Sequence, residues 1–323
     1  MALSARGGGT ALICGSVAYD TILVFKDRFK SQIMPDQLHI LNVSFLVPEM
    51  RREYGGCAAN IAYGLNLLGD RGIPMATAGH DFAPYRERLE ALGVPVQHIT
   101  VLPDQFTAQA YITTDLDDNQ ITAFHPGAMQ ESHRNRIADV GTDIVLGIVA
   151  PDGRQAMIEH AAQFAEAGIP FMFDPGQGLP MFGADELRTF IAQATWVAVN
   201  DYEWGMLRRR TGLTAADVMD QVTALIVTRA ADGSVIYAGG RSIEVPCAKP
   251  RGVVDPTGCG DAYRAGLIHG LLKGLDWETT GRVAALMGAI KIESRGPQNH
   301  RFTPAEFTQR FHDNFGDMQP GLQ

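Results

Sequence analysis

Short apolar runs that alternate with helical patterns constrain the fold of this chain more than any other feature. The runs are 144–149, 170–173, 195–199 and 224–228. Their length is typical of buried strands, and a helical pattern at 152–167 separates the first two. Parallel strands need crossover connections, which helices usually provide. The pattern therefore predicts an α/β fold with a mostly parallel sheet and helices on both faces. The segment 235–245 is expected to add antiparallel strands at one edge of this sheet.

A strand, a tight loop and a helix start follow one another at 253–266. Glycines flank Cys259 on both sides, and a helical pattern of small residues begins at once. Glycine lets the backbone approach a ligand closely, and the first helical turn leaves N–H groups without intrahelical partners. Such a helix start favours a phosphate. We therefore predict that the N–H groups of Gly258, Cys259 and Gly260 stabilise charge on a transferred phosphoryl group.

Asp261 comes directly after this loop, where its carboxylate would repel a bound phosphate. The position is explained if Asp261 accepts the proton of a hydroxyl nucleophile as a general base. The alternative is that Asp255 and Asp261 only accept hydrogen bonds from N–H groups at the helix start, a common role of aspartate. The loop by itself leaves both interpretations open.

A second glycine pair, Gly55 and Gly56, opens a helix with a regular apolar face. The pair would let the backbone approach a ribose, and Asn60 in the first turn would reach its hydroxyls. A helix start with a chance asparagine is the alternative. Asp20 follows the first apolar run, 11–15, where it would accept hydrogen bonds from a polyol beyond the strand end, or serve as a turn residue.

These two motifs resemble the signatures of the ribokinase-like (PfkB) family of sugar and nucleoside kinases. The segment 255–261 is similar to the family pattern Asp-Thr-x-Gly-Ala-Gly-Asp, whose last Asp is the base, and departs from it mildly at 256–257 and Cys259. The segment from Gly55 resembles the N-terminal signature Gly-Gly-x-x-x-Asn-x-Ala. The likeness spans 11–311. It implies a ribokinase-like, Rossmann-type three-layer sandwich with a small β-sheet lid.

The resemblance and the strand pattern together predict two domains and a leader. A hairpin pattern at 108–124 predicts two antiparallel strands of the lid. The large catalytic and nucleotide-binding domain is expected at 11–20, 53–105 and 126–315, the lid over the substrate site at 21–52 and 106–125, and a flexible leader at 1–10.

The resemblance also implies residues that bind ATP and Mg²⁺. Asn200 and Glu203 match an Asn-x-x-Glu motif that organises Mg²⁺, usually through water, although a helix N-cap with its capping-box partner is the local alternative. Thr228 and Gly233 are expected to contact the nucleotide. The chain has Ala230 where the family usually has a glycine, which puts the geometry of this loop in doubt.

A monovalent-cation site is a further implication of the resemblance. In the family, a loop like the one at 293–300 lies near the residue that corresponds to Asp255. Backbone carbonyls there help to hold the ion. Asp255 and Gly296 are therefore expected beside a cation, and activation by K⁺ is a hypothesis.

Finer features favour a nucleoside over a free sugar as the acceptor. The segments that look like bacterial-type adenosine kinases more than ribokinases or fructokinases are 41–47, 124–129, 255–258 and 296–298. Adenine stacks on flat apolar surfaces. Phe124 and Tyr111 from the hairpin, with Phe45 as a third candidate, would supply them, unless these aromatics only hold the lid together. Gln177, after another strand, is also a candidate substrate contact.

The predicted reaction is phosphorylation of the 5′-hydroxyl of adenosine by ATP, which yields AMP and ADP. A sugar kinase of the ribokinase or fructokinase type would share every catalytic residue and differ in the lid. A non-catalytic sugar- or nucleoside-binding relative would usually lose the base or the anion loop, and this chain has both. These two alternatives remain open.

Charge and composition exclude some classes of binding partner. The net charge of −9 argues against a nucleic-acid partner, because binding the phosphate backbone needs a basic surface. The sequence has no Cys-x-x-Cys pair, no signal peptide and no apolar stretch of membrane-spanning length. We therefore expect a reduced, cytoplasmic protein without a membrane partner. An exposed apolar edge of the lid would allow a homodimer.

Overall fold

The computed structural model describes residues 9–33, 40, 42–117, 119–141 and 143–316. Most of the predicted leader, 1–8, lies outside the described residues, and so do 34–39 and 41 of the predicted lid segment. Two sheets occur within the described ranges, one of nine strands and one of four. The strands are β1 (Thr10–Cys14), β2 (Ala18–Val24), β3 (Glu49–Gly55), β4 (Arg71–Gly79), β5 (Ile99–Leu102), β6 (Ala108–Thr114), β7 (Gln120–His125), β8 (Ile144–Val149), β9 (Phe171–Phe173), β10 (Trp196–Asn200), β11 (Ala224–Thr228), β12 (Ser234–Ala238) and β13 (Arg241–Val245).

Helices fill most of the connections between these strands. They are α1 (Phe29–Gln32), α2 (Cys57–Leu67), α3 (Ala83–Ala91), α4 (Arg154–Glu166), α5 (Ala184–Gln193), α6 (Asp201–Thr211), α7 (Ala215–Met219), α8 (Cys259–Lys273), α9 (Trp277–Ile292) and α10 (Pro304–Phe315). Among the residues described, no helix combines the length and the apolar character needed to cross a membrane.

The large sheet is parallel except at one edge. In the described part of the chain its order is β13-β12-β11-β10-β9-β8-β1-β4-β5. Every neighbouring pair from β11 to β5 is parallel, whereas β12 and β13 are antiparallel. The predicted mostly parallel sheet with an antiparallel edge is confirmed.

Strand β1 shows why helices cover both faces of this sheet. Ala11 and Ile13 pack into one apolar core with α2, α8 and α9, and Leu12 and Cys14 pack into a second core with α4 and α5. Successive side chains of a strand point to opposite faces, so a strand that is apolar throughout needs cover on both. The predicted helix–sheet–helix sandwich is confirmed.

Helices α8 and α9 approach each other closely because small residues line their contact. A Cβ on Gly266 would lie 2.4 Å from the Cα of Ala284, and a Cβ on Gly270 would lie 2.4 Å from Oγ1 of Thr280. A larger side chain would push the two helices apart. This packing fixes the position of α8 and, with it, the loop at its N-terminus.

The small sheet has the order β3-β2-β6-β7 within the described residues. Strands β6 and β7 form the predicted antiparallel hairpin, β2 pairs in parallel with β6, and β3 is antiparallel to β2. Only residues 15–17 separate β1 from β2, which begins at Ala18. Asp20 therefore lies inside a strand of the small sheet, not in a turn after β1 as one interpretation held.

Candidate active site

One large cavity lies between the small sheet and the carboxyl ends of the parallel strands. Its volume is about 1160 Å³, and Asp174, Asn200 and Thr228, which follow or end β9, β10 and β11, line one side. Asp20 and Phe124 of the small sheet line the other side. Ligands of open α/β sheets bind at this edge. The volume exceeds that of a typical small-molecule pocket, about 300 to 1,000 Å³, and leaves room for two substrates.

The loop before α8 carries the predicted anion donors along the cavity wall. Gly258 is the N-cap residue and has φ +81°, a left-handed conformation that glycine adopts without strain. The N–H groups of Gly258 and Gly260 have no acceptor within the described part of the chain. The N–H of Cys259 donates to the carbonyl of Pro256 at 3.1 Å. Two of the three predicted donors are thus unengaged, and the third closes the turn.

Asp261 lies in the first turn of α8, partly buried in the same cavity wall. Its Oδ2 accepts a hydrogen bond of 2.8 Å from Nδ2 of Asn60. Burial is the main reason that its pKa rises to about 6, and the charge of Asp174 adds to the increase. A carboxylate with a raised pKa is a stronger proton acceptor and is still ionised near neutral pH.

A chain of hydrogen bonds connects the two glycine motifs. Nε2 of Gln298 donates to Oδ1 of Asn60 at 2.9 Å and to the hydroxyl of Tyr85 at 2.5 Å. The Tyr85 hydroxyl donates to the carbonyl of Gly55 at 2.7 Å. Both ends of the Asn60 carboxamide are therefore bonded within the protein. In addition to its predicted ribose contact, Asn60 fits a role in orienting Asp261.

Asp20 lies across the cavity from Asp261 on β2. Burial raises its pKa to about 6, and the neighbouring carboxylates of Asp255 and Glu53 contribute to the increase. Glu53 is the β3 residue paired with Asp20, which explains their proximity. Asp20 is thus positioned to accept hydrogen bonds from hydroxyl groups of a ligand.

Asn200 and Glu203 form the capping box of α6, as the local alternative predicted. Oδ1 of Asn200 accepts from the N–H of Glu203 at 2.8 Å, and Oε2 of Glu203 accepts from the N–H of Asn200 at 2.8 Å. Both residues also line the cavity. Burial raises the pKa of Glu203, and Asp174 adds to the increase, so a cation beside them would relieve excess negative charge. No group of three or more His, Cys, Asp or Glu residues that could hold a metal occurs in the described ranges. The Glu203 carboxylate and the Asn200 carboxamide are oxygen donors of the kind that Mg²⁺ prefers.

The loop after β11, predicted to contact the nucleotide, lines the cavity although it lacks the middle glycine. Ala230 has φ +47°, a conformation that side chains other than glycine rarely adopt. Ala230, Gly233 and Thr228 all line the cavity. Alanine therefore occupies a backbone position for which glycine would be better suited.

Several predicted site residues do not reach the cavity wall. Gly55 leaves room for the carboxylate of Asp20 because it has no side chain; a Cβ there would lie 2.7 Å from Oδ2 of Asp20. Tyr111 faces away from the cavity because it pairs with Ala123, whereas Phe124 pairs with Ala110 on the opposite face of the hairpin. The residues outside the lining are Gly55, Tyr111, Phe45, Asp255 and Gly296, and those within it are Asp20, Gly56, Asn60, Phe124, Gln177, Asn200, Glu203, Thr228, Gly233, Gly258, Cys259, Gly260 and Asp261.

Phe45 has a structural role in the small domain. Its ring contacts the rings of Phe25 and Phe29 with centroids 4.9 and 5.0 Å apart. Such clusters are typical of small apolar cores. These contacts agree with the alternative that the aromatics hold the lid together.

Three charged residues of the cavity wall were missed in the sequence. Asp174 and Arg264 form a buried ion pair of 3.0 Å, and Asp152 is buried with its pKa raised to about 7 by desolvation. Asp152 and Asp174 follow apolar strands at the sheet edge where ligands bind, so the reasoning applied to Asp20 could have found them. Arg264 lies inside α8 and has no comparable local signal.

Comparisons with known proteins agree with this fold and identify related kinases. The model of the pfkB family of carbohydrate kinases matches residues 22–304. A nucleoside kinase of Methanocaldococcus jannaschii is 33% identical over 80% of this chain and 85% of its own length. The structure of Burkholderia thailandensis nucleoside kinase in complex with ADP-inosine has a TM-score of 0.85 and 52% identity, and covers 96% of this chain and 98% of that one. A ribokinase of Thermotoga maritima shares the fold, with a TM-score of 0.78 and 20% identity over 95% of this chain and 100% of its own.

Proposed function

The chain belongs to the pfkB family of carbohydrate kinases, and we propose that it is a nucleoside kinase that transfers a phosphoryl group from ATP to a 5′-hydroxyl. One observation carries this proposal. Asp261, the glycines Gly258 and Gly260 and the apolar side chains of the small sheet all line a single cavity. A base, an anion site and an acceptor pocket in one cavity are the parts that phosphoryl transfer requires.

The acceptor end of the cavity suits a nucleoside. Asp20 offers a carboxylate to ribose hydroxyls, while Ala110, Ile112 and Phe124 form an apolar wall on the same face of the small sheet. A free sugar would need hydroxyl partners where this wall is apolar. The similarity to a nucleoside kinase solved with ADP-inosine supports a purine nucleoside, and adenosine and inosine are the acceptors to test first.

The donor end is formed by the loops after β10 and β11 and by the anion loop. Thr228 and Gly233 line it, and the phosphates of ATP would lie against the start of α8. Mg²⁺ bound with ATP would be held through water by Asn200 and Glu203, where it would offset phosphate charge.

The proton moves in one step. As the phosphoryl group passes in line from ATP to the 5′-oxygen, that oxygen loses its proton to a carboxylate oxygen of Asp261, which Asn60 keeps oriented. The N–H groups of Gly258 and Gly260 stabilise the charge on the transferred group. Closure of the small sheet over the cavity would exclude water, which otherwise competes as an acceptor.

Phe124 provides the test of base recognition. We expect Phe124→Ala to raise KM for a purine nucleoside about 10-fold, because stacking of a base on an aromatic ring is worth roughly 1–3 kcal/mol. Tyr111→Ala is the matched control, since Tyr111 is similarly exposed in the same hairpin and faces away. Steady-state kinetics measure both. Equal effects of the two substitutions would contradict the assignment of Phe124.

The pKa of Asp261 sets the pH dependence. The base must be ionised, and its pKa is raised to about 6 by burial and by Asp174. We therefore expect kcat/KM to fall as the pH decreases through about 6, whereas an ordinary aspartate would keep activity down to about pH 4. Asp20 has a similar pKa, so the profile should be repeated with Asp20→Asn. Persistence of the acidic limb assigns it to Asp261, and its disappearance would contradict the assignment.

The product identifies the reaction. Incubation with MgATP and adenosine or inosine should yield ADP and the nucleoside 5′-monophosphate in equal amounts, as separated by anion-exchange chromatography. Phosphorylation at the 2′- or 3′-hydroxyl would refute the placement of the 5′-hydroxyl beside Asp261.

A homodimer through the small sheet is part of the proposal. Every residue of the edge strand β7 is exposed, including Ile121 and Phe124. An exposed edge with apolar side chains is suited to pairing with a second strand. Sedimentation equilibrium of the native protein and of Ile121→Lys would show two chains and one chain, respectively.

A further inference from the structure

Lys291 is buried without a carboxylate at its ammonium group. It is the next-to-last residue of α9 and has 0% exposure. Its Nζ donates to the carbonyl oxygen of Asp255 at 2.7 Å and to that of Ser294 at 3.0 Å. Lysine is almost never fully buried unless its charge is compensated. A cation held by backbone carbonyls therefore lies at this position as part of the protein itself.

These carbonyls lie where a monovalent cation was expected. The site was expected at Asp255 and the loop that contains Gly296, with backbone carbonyls as ligands. Two acceptors there, the carbonyls of Asp255 and Ser294, are already bonded to the Lys291 ammonium. A K⁺ ion in contact with the same oxygens would collide with that group and be repelled by its charge. The residues of this chain do not fit the ion.

The ammonium fixes the segment that leads into the anion loop. The Asp255 carboxylate accepts hydrogen bonds from the N–H of Thr257 at 2.9 Å and from the N–H of Gly296 at 2.8 Å. The Asp255 N–H donates to the carbonyl of Ile292 at 3.1 Å. With its carbonyl bonded to Lys291, every polar group of Asp255 is engaged. The next residues are the turn that ends at Gly258.

The charge of Lys291 also reaches the anion loop. Burial raises the pKa of the Cys259 thiol to about 11, and the positive charge of Lys291 opposes this increase. The same charge, after burial, helps to hold the pKa of His300 near 4. A fixed positive charge behind the start of α8 adds to the field that favours a phosphate there.

We propose that Lys291 is a positioning residue that takes the place of a monovalent cation, so that the protein works without K⁺ or Na⁺. This inference rests on the proposed kinase activity for its kinetic readout. The inference concerns Lys291, which lies near the proposed site but is neither the proposed base nor one of the anion donors. Its structural consequence, a cation requirement created by removing the lysine, is measurable without turnover.

The test uses two substitutions of Lys291 that differ in the space they leave. Lys291→Ala removes the ammonium and opens room for an ion, whereas Lys291→Met removes the charge but keeps the volume filled. Lys273→Met is the control, because Lys273 lies on α8 with a partly exposed side chain and also pairs with a buried group, the carboxylate of Asp70. Melting temperature and kcat are measured for each protein in choline, Na⁺, K⁺ and NH₄⁺ chloride.

For the wild-type chain and for Lys273→Met, we expect that neither kcat nor the melting temperature depends on which of the four salts is present. Lys291→Ala should lose about 10²-fold in kcat in choline, the effect of misplacing catalytic groups by about 1 Å. K⁺ or NH₄⁺ at about 100 mM should restore at least 10-fold and raise its melting temperature, because an ion that binds the folded state stabilises it. Lys291→Met should be impaired in every salt.

Two results would overturn the inference. One is a wild-type protein that requires K⁺, and the other is a Lys291→Ala protein whose melting temperature does not respond to any cation. If the wild type phosphorylates no nucleoside, the proposed function fails, and the melting temperatures still decide the role of Lys291.

Discussion

Asp261→Asn is expected to lower kcat for nucleoside phosphorylation by about 10²-fold or more, the range for loss of a general base. Asparagine has the same shape and can still accept the hydrogen bond from Asn60, but it cannot take up a proton at neutral pH. Nucleoside binding should therefore change little. Initial-rate kinetics with MgATP give kcat, and calorimetric titration gives the nucleoside affinity.

The melting temperature shows whether the loss of kcat in Asp261→Asn comes from unfolding of the protein. The folded-state pKa of Asp261 is raised to about 6, chiefly by burial. Between its ordinary pKa and about 6 the folded chain binds more protons than the unfolded chain, so this group destabilises the fold as pH rises through that window. Asp261→Asn should then melt no lower than wild type at pH 8. The matched control is Asp185→Asn, in the first turn of α5 with its side chain 96% exposed, and a kcat for Asp261→Asn within about threefold of this control would exclude the base.

Gly258→Ala is expected to lower kcat/KM for ATP by about 10²-fold, comparable to misplacing catalytic groups by about 1 Å. Its Cβ would lie 2.6 Å from Cβ of Pro297, a distance that forces the loop to shift. The residue also has φ +81°, which strains any L side chain. The shift would move the N–H of Gly260 away from the phosphoryl position. Kinetics at varied ATP concentration measure the loss.

Gly212→Ala is the control that distinguishes the effect of backbone strain from the effect of the contact between a Cβ at position 258 and Pro297. Gly212 follows α6 with φ 74° and ψ 1°, close to the 81° and 4° of Gly258, and its Cβ would meet nothing within 4 Å. Both substitutions should destabilise the fold by about 1 kcal/mol through strain. Only Gly258→Ala should affect catalysis. Equal kinetic effects would show that the contact with Pro297 does not position the loop.

The strand and helix pattern could be predicted because its causes are local. The runs at 144–149 and 224–228 are apolar over the length of a strand, and the turn residues Pro151 and Gly233 follow within a few positions. The start of α8 was predicted from small-residue spacing and turn residues. Asp20 was placed after β1 because the three-residue connection to β2 carries no signal of its own.

The orientation of the lid residues needed the hairpin register. Tyr111 and Phe124 are both aromatic and both lie in the hairpin, yet the pairing of Ala110 with Phe124 places Tyr111 on the other face. One residue of register reverses every side chain of a strand. The sequence contains the alternation, and the residues between the two strand patterns leave the register unspecified.

Long-range partners could not be read from the chain. Gln298 bonds Asn60 across 238 positions, and Arg264 pairs with Asp174 across 90. Lys291 lies in the last turn of α9, where a cation is favourable on any helix, so its sequence position did not distinguish it from a surface lysine. Only the packed fold shows that its ammonium occupies the place expected for a free ion.

The most direct test of the central claim is ADP release from MgATP with adenosine, inosine, ribose and fructose supplied separately. The account predicts turnover with the nucleosides, loss of that turnover in Asp261→Asn, and no turnover with the free sugars. Turnover with ribose or fructose alone would retain the fold and the base but contradict the assignment of the small sheet as a nucleoside-binding wall.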